Sequence, residues 1–420
     1  MVKQSILTLE QARGLDINNH PTPFVVYEQK GIEANMGRFY KAFDWVLNFQ
    51  NYFAVKACPN PTILRILKNL GSGADCSSMG ELVMSEICGL EGENIMFTSN
   101  NTHAAEFIKA HSMGAIINFD DIIHIPFYER QVGEMPEIAC CRFNPGELKR
   151  GNDIIGKPTN AKYGMTREQI FEAYKMLRDK GVKRFGLHTM VASNELNPDY
   201  FIETAKILFE LVKELEEKLG IIFEFVNLGG GIGIPYKPEQ KEVDLERVSE
   251  GIRKEYKELI GETREKAIRI VMECGRMITG PYGQLVTKVQ HVTEKYKNYV
   301  GVDASMQCLM RPALYGAYHH ISVLGKENEP ANQIYDVTGS LCENNDKFAI
   351  DRQLPEVKKG DYLVIHDAGA HGTAMGFNYN AKLRPAELLK TTDGEIKLIR
   401  RAENLQDYFS TVNGIDGFSI

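Results

Sequence analysis

The sequence predicts a (β/α)8 barrel followed by a mostly β domain, and two observations carry that expectation. Short apolar or β-branched runs recur at 50–57, 73–78, 94–100, 115–119, 137–144, 184–190, 223–231 and 268–276, alternating with segments of helical periodicity. Such alternation means parallel strands joined by crossovers, and eight units over about 230 residues suit a closed barrel. A doubly wound open sheet is the structural rival. Past Gly280 the texture changes to alternating runs at 286–292, 299–302, 334–338, 362–367 and 396–400, set off by Gly, Pro and Asn turns.

Taken in order, 23–27 reads as a short strand and 31–46 as a helix. The clearest helices are 166–180 and 199–219; in the second, Ile207, Leu208, Leu211 and Leu215 recur at spacings of three and four, with Lys and Glu on the other face. The expected organisation is an N-terminal segment, 1–25, that packs with the β domain, a barrel over 26–284, and a C-terminal β domain over 285–420. No low-complexity linker separates them, so the domains are expected to pack.

Composition bounds the function. The chain has 420 residues, 43% hydrophobic and 25% charged, which is ordinary globular material. A net charge of -7 and the absence of long Lys/Arg runs argue against nucleic acid or an anionic membrane as partner. No apolar run approaches the roughly 18 residues of a membrane span, and the start carries no signal-peptide pattern. A cytoplasmic protein is expected. The eight cysteines include Cys140-Cys141 but no CxxC, which argues against a disulfide frame or a zinc site, and no metal is expected.

The stretch Tyr52-Phe53-Ala54-Val55-Lys56-Ala57 drives one lysine to the end of an apolar run. Burial lowers a lysine pKa toward the range where the free amine attacks a carbonyl and forms a Schiff base. A lysine snorkelling from an edge strand is the plain alternative. In a barrel the reactive groups sit at the carboxyl ends of the strands, and Lys56, Asp75, Arg142, His188, Gly229–Gly231 and Glu273 all fall there. Leu228-Gly229-Gly230-Gly231-Ile232-Gly233 offers consecutive amides that can converge on a phosphate, although a turn is as common. Glu273-Cys274-Gly275-Arg276 sets a carboxylate and a guanidinium at another strand end, either as a solvated ion pair or as a carboxylate that keeps a pyridine nitrogen protonated for carbanion chemistry.

These stretches, with Gly73-Ala74-Asp75-Cys76-Ser77-Ser78, Lys162-Tyr163-Gly164, Arg311-Pro312-Ala313-Leu314-Tyr315, Cys342-Glu343 and Tyr379-Asn380, resemble in order the motif series of the fold type III pyridoxal-phosphate decarboxylases, closest to the diaminopimelate decarboxylases. The resemblance spans nearly the whole chain. It implies an alanine-racemase-like barrel, a β domain, and a homodimer with active sites at its interface. It makes Lys56 the lysine that carries pyridoxal 5'-phosphate and Glu273 the partner of the pyridine nitrogen, with Asp75 also on the cofactor. Gly229, Gly230, Gly231, Gly275, Ser193 and Tyr379 match phosphate-binding positions, and Arg276 lies beside them. Arg276, Arg311 and Tyr315 match positions that hold the carboxylate at the far end of the substrate, where Tyr379 also lies, and Glu343 the one that meets its far amino group. Cys342 matches the proton donor, supplied across the dimer interface.

Three departures bear on the substrate. The family pattern H-x-H-x-G-S reads His188-Thr189-Met190-Val191-Ala192-Ser193, so a thioether stands where an imidazole is expected to stack on the cofactor. The pattern C-E-S-G-D reads Cys342-Glu343-Asn344-Asn345-Asp346, and G-A-Y reads Gly369-Ala370-His371. The expected reaction is decarboxylation of meso-diaminopimelate at its D centre, giving L-lysine and CO2. The alternative within the family is a D-ornithine or D-lysine decarboxylase. A racemase of this fold sets an arginine against the pyridine nitrogen where this chain has Glu273, and a non-catalytic cofactor binder has little use for Cys342 or Arg311.

Overall fold

The computed structural model describes residues 3–17, 20–151, 156–261 and 267–414. It divides into two compact units, one of residues 1–32, 235–240 and 278–420, the other of residues 33–234 and 241–277. Strand β1 (Phe24–Glu28) belongs to the first unit. The second is built on β2 (Gln50–Ala54), β3 (Gly73–Cys76), β4 (Ile95–Ser99), β5 (Ile116–Phe119), β6 (Ile138–Arg142), β7 (Arg184–His188), β8 (Phe223–Asn227) and β9 (Arg269–Met272). These eight close into a parallel barrel, with β2 pairing both β3 and β9. Closure excludes the open-sheet rival.

The barrel strands are buried on both faces, which is why they read as continuous apolar runs. Inside, Tyr52, Met96, Ile116, Ile138, Cys140, Phe225 and Val271 interlock. Gly186 of β7 makes room for one of them: a Cβ there would lie 2.0 Å from the Phe225 ring. The crossover helices start and stop on local signals. Thr166 and Gln169 form a capping box before Arg167–Asp179. Asn197 caps Pro198–Leu219, with Pro198 at its first position, and Gly220 ends it in the left-handed region at φ 66°.

The first unit is a nine-stranded sheet. Its remaining strands are β10 (Gly283–Glu294), β11 (Asn298–Val302), β12 (Ile321–Val323), β13 (Gln333–Thr338), β14 (Lys347–Leu354), β15 (Tyr362–Ile365), β16 (Ala386–Lys390) and β17 (Ile396–Arg400). The main order is β14-β13-β11-β10-β1-β16-β17, and β15, with β12 beside it, also pairs with β10. Because β1 pairs with β10 and β16, the chain up to Ile32 goes with this sheet, where the sequence suggested a break after residue 25. On the other side the division falls after Met277 instead of 284, since β10 starts within the sheet unit. Ile6, Leu7 and Ala12 join its core with Phe24, Val26, Val286 and Leu388. No helix among the described residues is long and apolar enough to cross a membrane.

Candidate active site

The carboxyl ends of the barrel strands bring one group of the expected residues together. Lys56 does not end a strand; it sits in the 3-10 turn Val55–Ala57 that follows β2. Its ammonium lies 3.5 Å from Asp75 Oδ2, and the side chain is 52% exposed while Asp75 is buried. The pKa moves opposite to the sequence-based expectation. Asp75, and after it Glu273, hold the ammonium above the usual lysine value against the effect of burial. Burial and the charge of Glu273 push the Asp75 carboxyl up to about 8 despite Lys56. Asp75 Oδ1 is buried and has no hydrogen-bond partner among the described residues, a cost that a bound polar ligand can relieve.

Glu273 follows β9 and is buried. Burial opposes its charge, but His188, Lys56 and Asn227 outweigh it and hold the carboxyl at about 2. The His188 ring nitrogen Nε2 is 3.2 Å from Oε2, and Asn227 Nδ2 donates to Oε1 at 2.7 Å. Asn118 Nδ2 donates to His188 Nδ1 at 2.8 Å and to Thr98 Oγ1 at 3.0 Å, so Nε2 carries the proton that faces the carboxylate. A carboxylate has about four acceptor positions, so Glu273 can still accept an N–H from a ligand.

The glycine loop after β8 is tied to its surroundings. Gly229 N–H donates to Asn227 Oδ1 at 2.8 Å and Gly230 N–H to the Met190 sulfur at 3.2 Å. Glycine is required here: Gly229 and Gly231 have φ of 68° and 93°, and a Cβ on Gly230 would lie 2.4 Å from Glu273 O. A thioether is a weak acceptor, so an anion can displace Met190 from the Gly230 amide. Arg276 Nη2 donates to Ser193 Oγ at 3.2 Å, joining two further expected residues. Gly275 packs on Ala54 and Ala57, where a Cβ would come within 2.8 Å of Ala57. Arg142 is paired with Asp120 at 3.1 Å and lies over the Tyr163 ring at 4.0 Å.

The sheet unit carries the second group. Arg311 opens the short helix Arg311–Tyr315 and is buried, 3% exposed, whereas Tyr315 is half-exposed. Cys342 and Glu343 are exposed on a turn that Asp346 holds from beneath, accepting from Leu341 N at 2.9 Å and Met306 N at 2.7 Å. Cys342 N–H donates to Asn380 Oδ1 at 2.7 Å, which ties this turn to the segment of Tyr379, itself half-exposed. All eight cysteines are free thiols, and Cys342 is the exposed one. Among the described residues no cluster of His, Cys, Asp or Glu is arranged to hold a metal.

Sequence reasoning noticed His188 without giving it a role and passed over Asn118, Asn227 and His319. The first two had a signal: a lone asparagine near the end of an otherwise apolar run, Ile116-Ile117-Asn118-Phe119 and Phe225-Val226-Asn227, must find a partner when the strand is buried.

A lysine that feels an ionised carboxylate, in the same unit as the glycine loop and Arg276, suits a flat anionic ligand that bears a carbonyl and a ring nitrogen. The barrel thereby falls among the pyridoxal-phosphate enzymes. The profile described as "Pyridoxal-dependent decarboxylase, pyridoxal binding domain" matches residues 29–280, and the chain belongs to that family. Pyridoxal phosphate is its cofactor. Protein TabA of Pseudomonas amygdali pv. tabaci is 40% identical over 391 residues, covering 93% of this chain and 91% of that one. Diaminopimelate decarboxylase of Methanothermobacter thermautotrophicus is 34% identical over 399 residues, covering 93% and 91%. The crystal structure of the Methanocaldococcus jannaschii diaminopimelate decarboxylase with L-lysine superposes with a TM-score of 0.87 at 31% identity, covering 96% of this chain and 94% of that one.

Proposed function

We propose that this enzyme removes CO2 from the D centre of meso-diaminopimelate and releases L-lysine, as a step of lysine biosynthesis, and that it works as a cytoplasmic homodimer. When bound, pyridoxal phosphate supplies the sink for the electron pair of the broken bond between the α carbon and its carboxylate. The chain does the rest. Lys56 binds the cofactor through its amine, and Glu273, kept ionised by His188 and Asn227, holds the proton on the ring nitrogen. Gly229, Gly230, Gly231, Ser193, Gly275 and Tyr379 take the phosphate, with Arg276 beside them. Met190 covers the ring, and Asp75 sets the charge around Lys56. Arg276, Arg311 and Tyr315 hold the far carboxylate, and Glu343 the far ammonium. The Cys342 thiol, supplied by the partner subunit, returns a proton to the α carbon.

The observation that carries the choice of substrate is the burial of Arg311, at 3% exposure, in a braced position. A buried guanidinium favours a substrate whose far end is anionic, and a site built around such a partner discriminates against an analogue that lacks it. Two of the three relatives named above, though not Protein TabA, are diaminopimelate decarboxylases and support the same choice. A D-lysine or D-ornithine decarboxylase is the second reading, favoured by Met190 and by Asn344-Asn345, which alter the family pattern.

Two experiments test the proposal. The purified holoenzyme is expected to be yellow, with borohydride fixing the cofactor to Lys56, and Lys56→Ala is expected to abolish turnover. A colourless wild type that does not take up added pyridoxal phosphate would end the reading. Arg311→Ala is expected to raise KM for diaminopimelate by about tenfold or more, and an unchanged KM would remove the argument for the far carboxylate.

A further inference from the structure

We infer that His319 is a specificity-determining positioning residue, which fixes the plane of the Arg311 guanidinium and thereby makes recognition of the substrate's far carboxylate possible. The inference rests on the role proposed for Arg311.

The geometry lies within the sheet unit. Gly316, at φ 61°, ends the short helix that Arg311 begins, and the chain then turns back to bring His319 onto it. His319 is fully buried. Its Nε2 lies 2.8 Å from Arg311 Nη1, and its Nδ1 lies 2.8 Å from the carbonyl oxygen of His366. A guanidinium only donates and a carbonyl only accepts. Nε2 must therefore present its lone pair and Nδ1 its proton, so both partners select one neutral tautomer.

The imidazole is itself held. Arg352 Nη1 donates to His319 O at 2.7 Å. The Tyr236 ring lies 4.4 Å from Arg311 Cζ and meets the His319 ring edge to face at 5.0 Å, so one aromatic side chain contacts both. Behind it, His366 accepts from Gln284 Nε2 at 3.1 Å and donates to Ser322 Oγ at 2.8 Å. Asp367, bonded to Lys3, also feels the charge of Arg311.

An arginine recognises a carboxylate through parallel N–H donors in a plane, so its value depends on how firmly that plane is set. Arg311 is long and would otherwise lose rotamer freedom only on binding. His319 takes one of its N–H groups through an acceptor that carries no charge. A neutral imidazole orients the guanidinium through a hydrogen bond without adding negative charge beside it.

Competitive inhibition of the holoenzyme separates this role from simple packing, because L-lysine carries the far carboxylate and cadaverine does not. His319→Phe keeps a ring against Tyr236 and removes the acceptor. It is expected to raise both KM for meso-diaminopimelate and Ki for L-lysine by about tenfold, while kcat and the cadaverine Ki stay within about threefold. His319→Gln, whose amide oxygen reaches the position of Nε2, is expected to restore both constants. If the phenylalanine variant does not fold, His319→Asn serves, being too short to reach Arg311. Equal losses for L-lysine and cadaverine, or an unchanged L-lysine Ki, would overturn the inference. Arg311→Leu is the reference: if it leaves the L-lysine Ki unchanged, the proposed role of Arg311 fails and the inference with it. If Arg311→Leu raises that Ki and the His319 variants do not, only the role of His319 is lost.

Discussion

Replacing Glu273 by glutamine keeps the shape of the side chain and removes its charge. In the wild type the carboxyl is held at about 2 against an ordinary value of 4.5, with His188 and Asn227 donating to its two oxygens. That difference corresponds to about 3 kcal/mol of preference for the ionised form. An amide forfeits it, and it also turns one N–H toward a neighbour that is already a donor, His188 Nε2 or Asn227 Nδ2. If the preference is what keeps the pyridine nitrogen protonated, kcat should fall about a hundredfold, since each 1.4 kcal/mol is a factor of ten. Cofactor affinity, which under the proposed roles rests on Lys56 and the glycine loop, should largely survive. The assay is CO2 release at saturating substrate, alongside spectrophotometric titration of the cofactor-free protein with pyridoxal phosphate. Catalysis retained within about tenfold, or about 1.4 kcal/mol, would refute the role given to Glu273.

Other outcomes follow from the same structure. The Asp75 pKa is raised to about 8, so in the cofactor-free protein its contribution to stability is present below about pH 4 and lost as pH rises toward 8. Asp75→Asn should therefore melt above wild type at pH 8, with the gap closing toward pH 4; a constant difference across that range would contradict this. His366 is lowered to about 3, by burial first and then by His320 and Lys3, so its contribution is present above about pH 6.5 and lost as pH falls toward 3. His366→Gln should flatten the acid limb of the stability profile, and a limb as steep as in wild type counts against it. Cys342→Ala should slow product formation more than it weakens cofactor binding. Mixed dimers of Lys56→Ala and Cys342→Ala subunits should regain activity, and no recovery would count against donation across the interface.

The barrel was legible because its strands are buried on both faces, so each reads as a continuous apolar run that a helix-periodic segment cannot imitate. The sheet unit was legible only in part. Strand β12 is three residues long, and β14 carries Lys347, Asp351 and Arg352 in a half-exposed pattern. In β16, Ala386–Lys390, a glutamate is buried mid-strand: Glu387 accepts from Tyr27 and Thr373 at 2.9 and 2.7 Å and pairs with Arg400. No local pattern announces that such a charge is paid for by three distant residues. The site divides in the same way. Lys56, Asp75, Glu273 and the glycine loop could be found from motif and strand-end position. The raised pKa of Lys56 could not, because it arises where β2, β3 and β9 meet in the closed barrel. The proton on His188 depends likewise on Asn118, which lies 70 residues earlier in the chain.

The choice of substrate is decided by supplying meso-diaminopimelate, D-lysine, D-ornithine and L-ornithine separately to the same holoenzyme and measuring both CO2 and the amine product. meso-Diaminopimelate is expected to yield equimolar CO2 and L-lysine with a kcat/KM at least about tenfold above the others, a margin of about 1.4 kcal/mol at the far end of the substrate. A preference for D-lysine or D-ornithine by the same margin, or inversion of diaminopimelate without CO2, would contradict it.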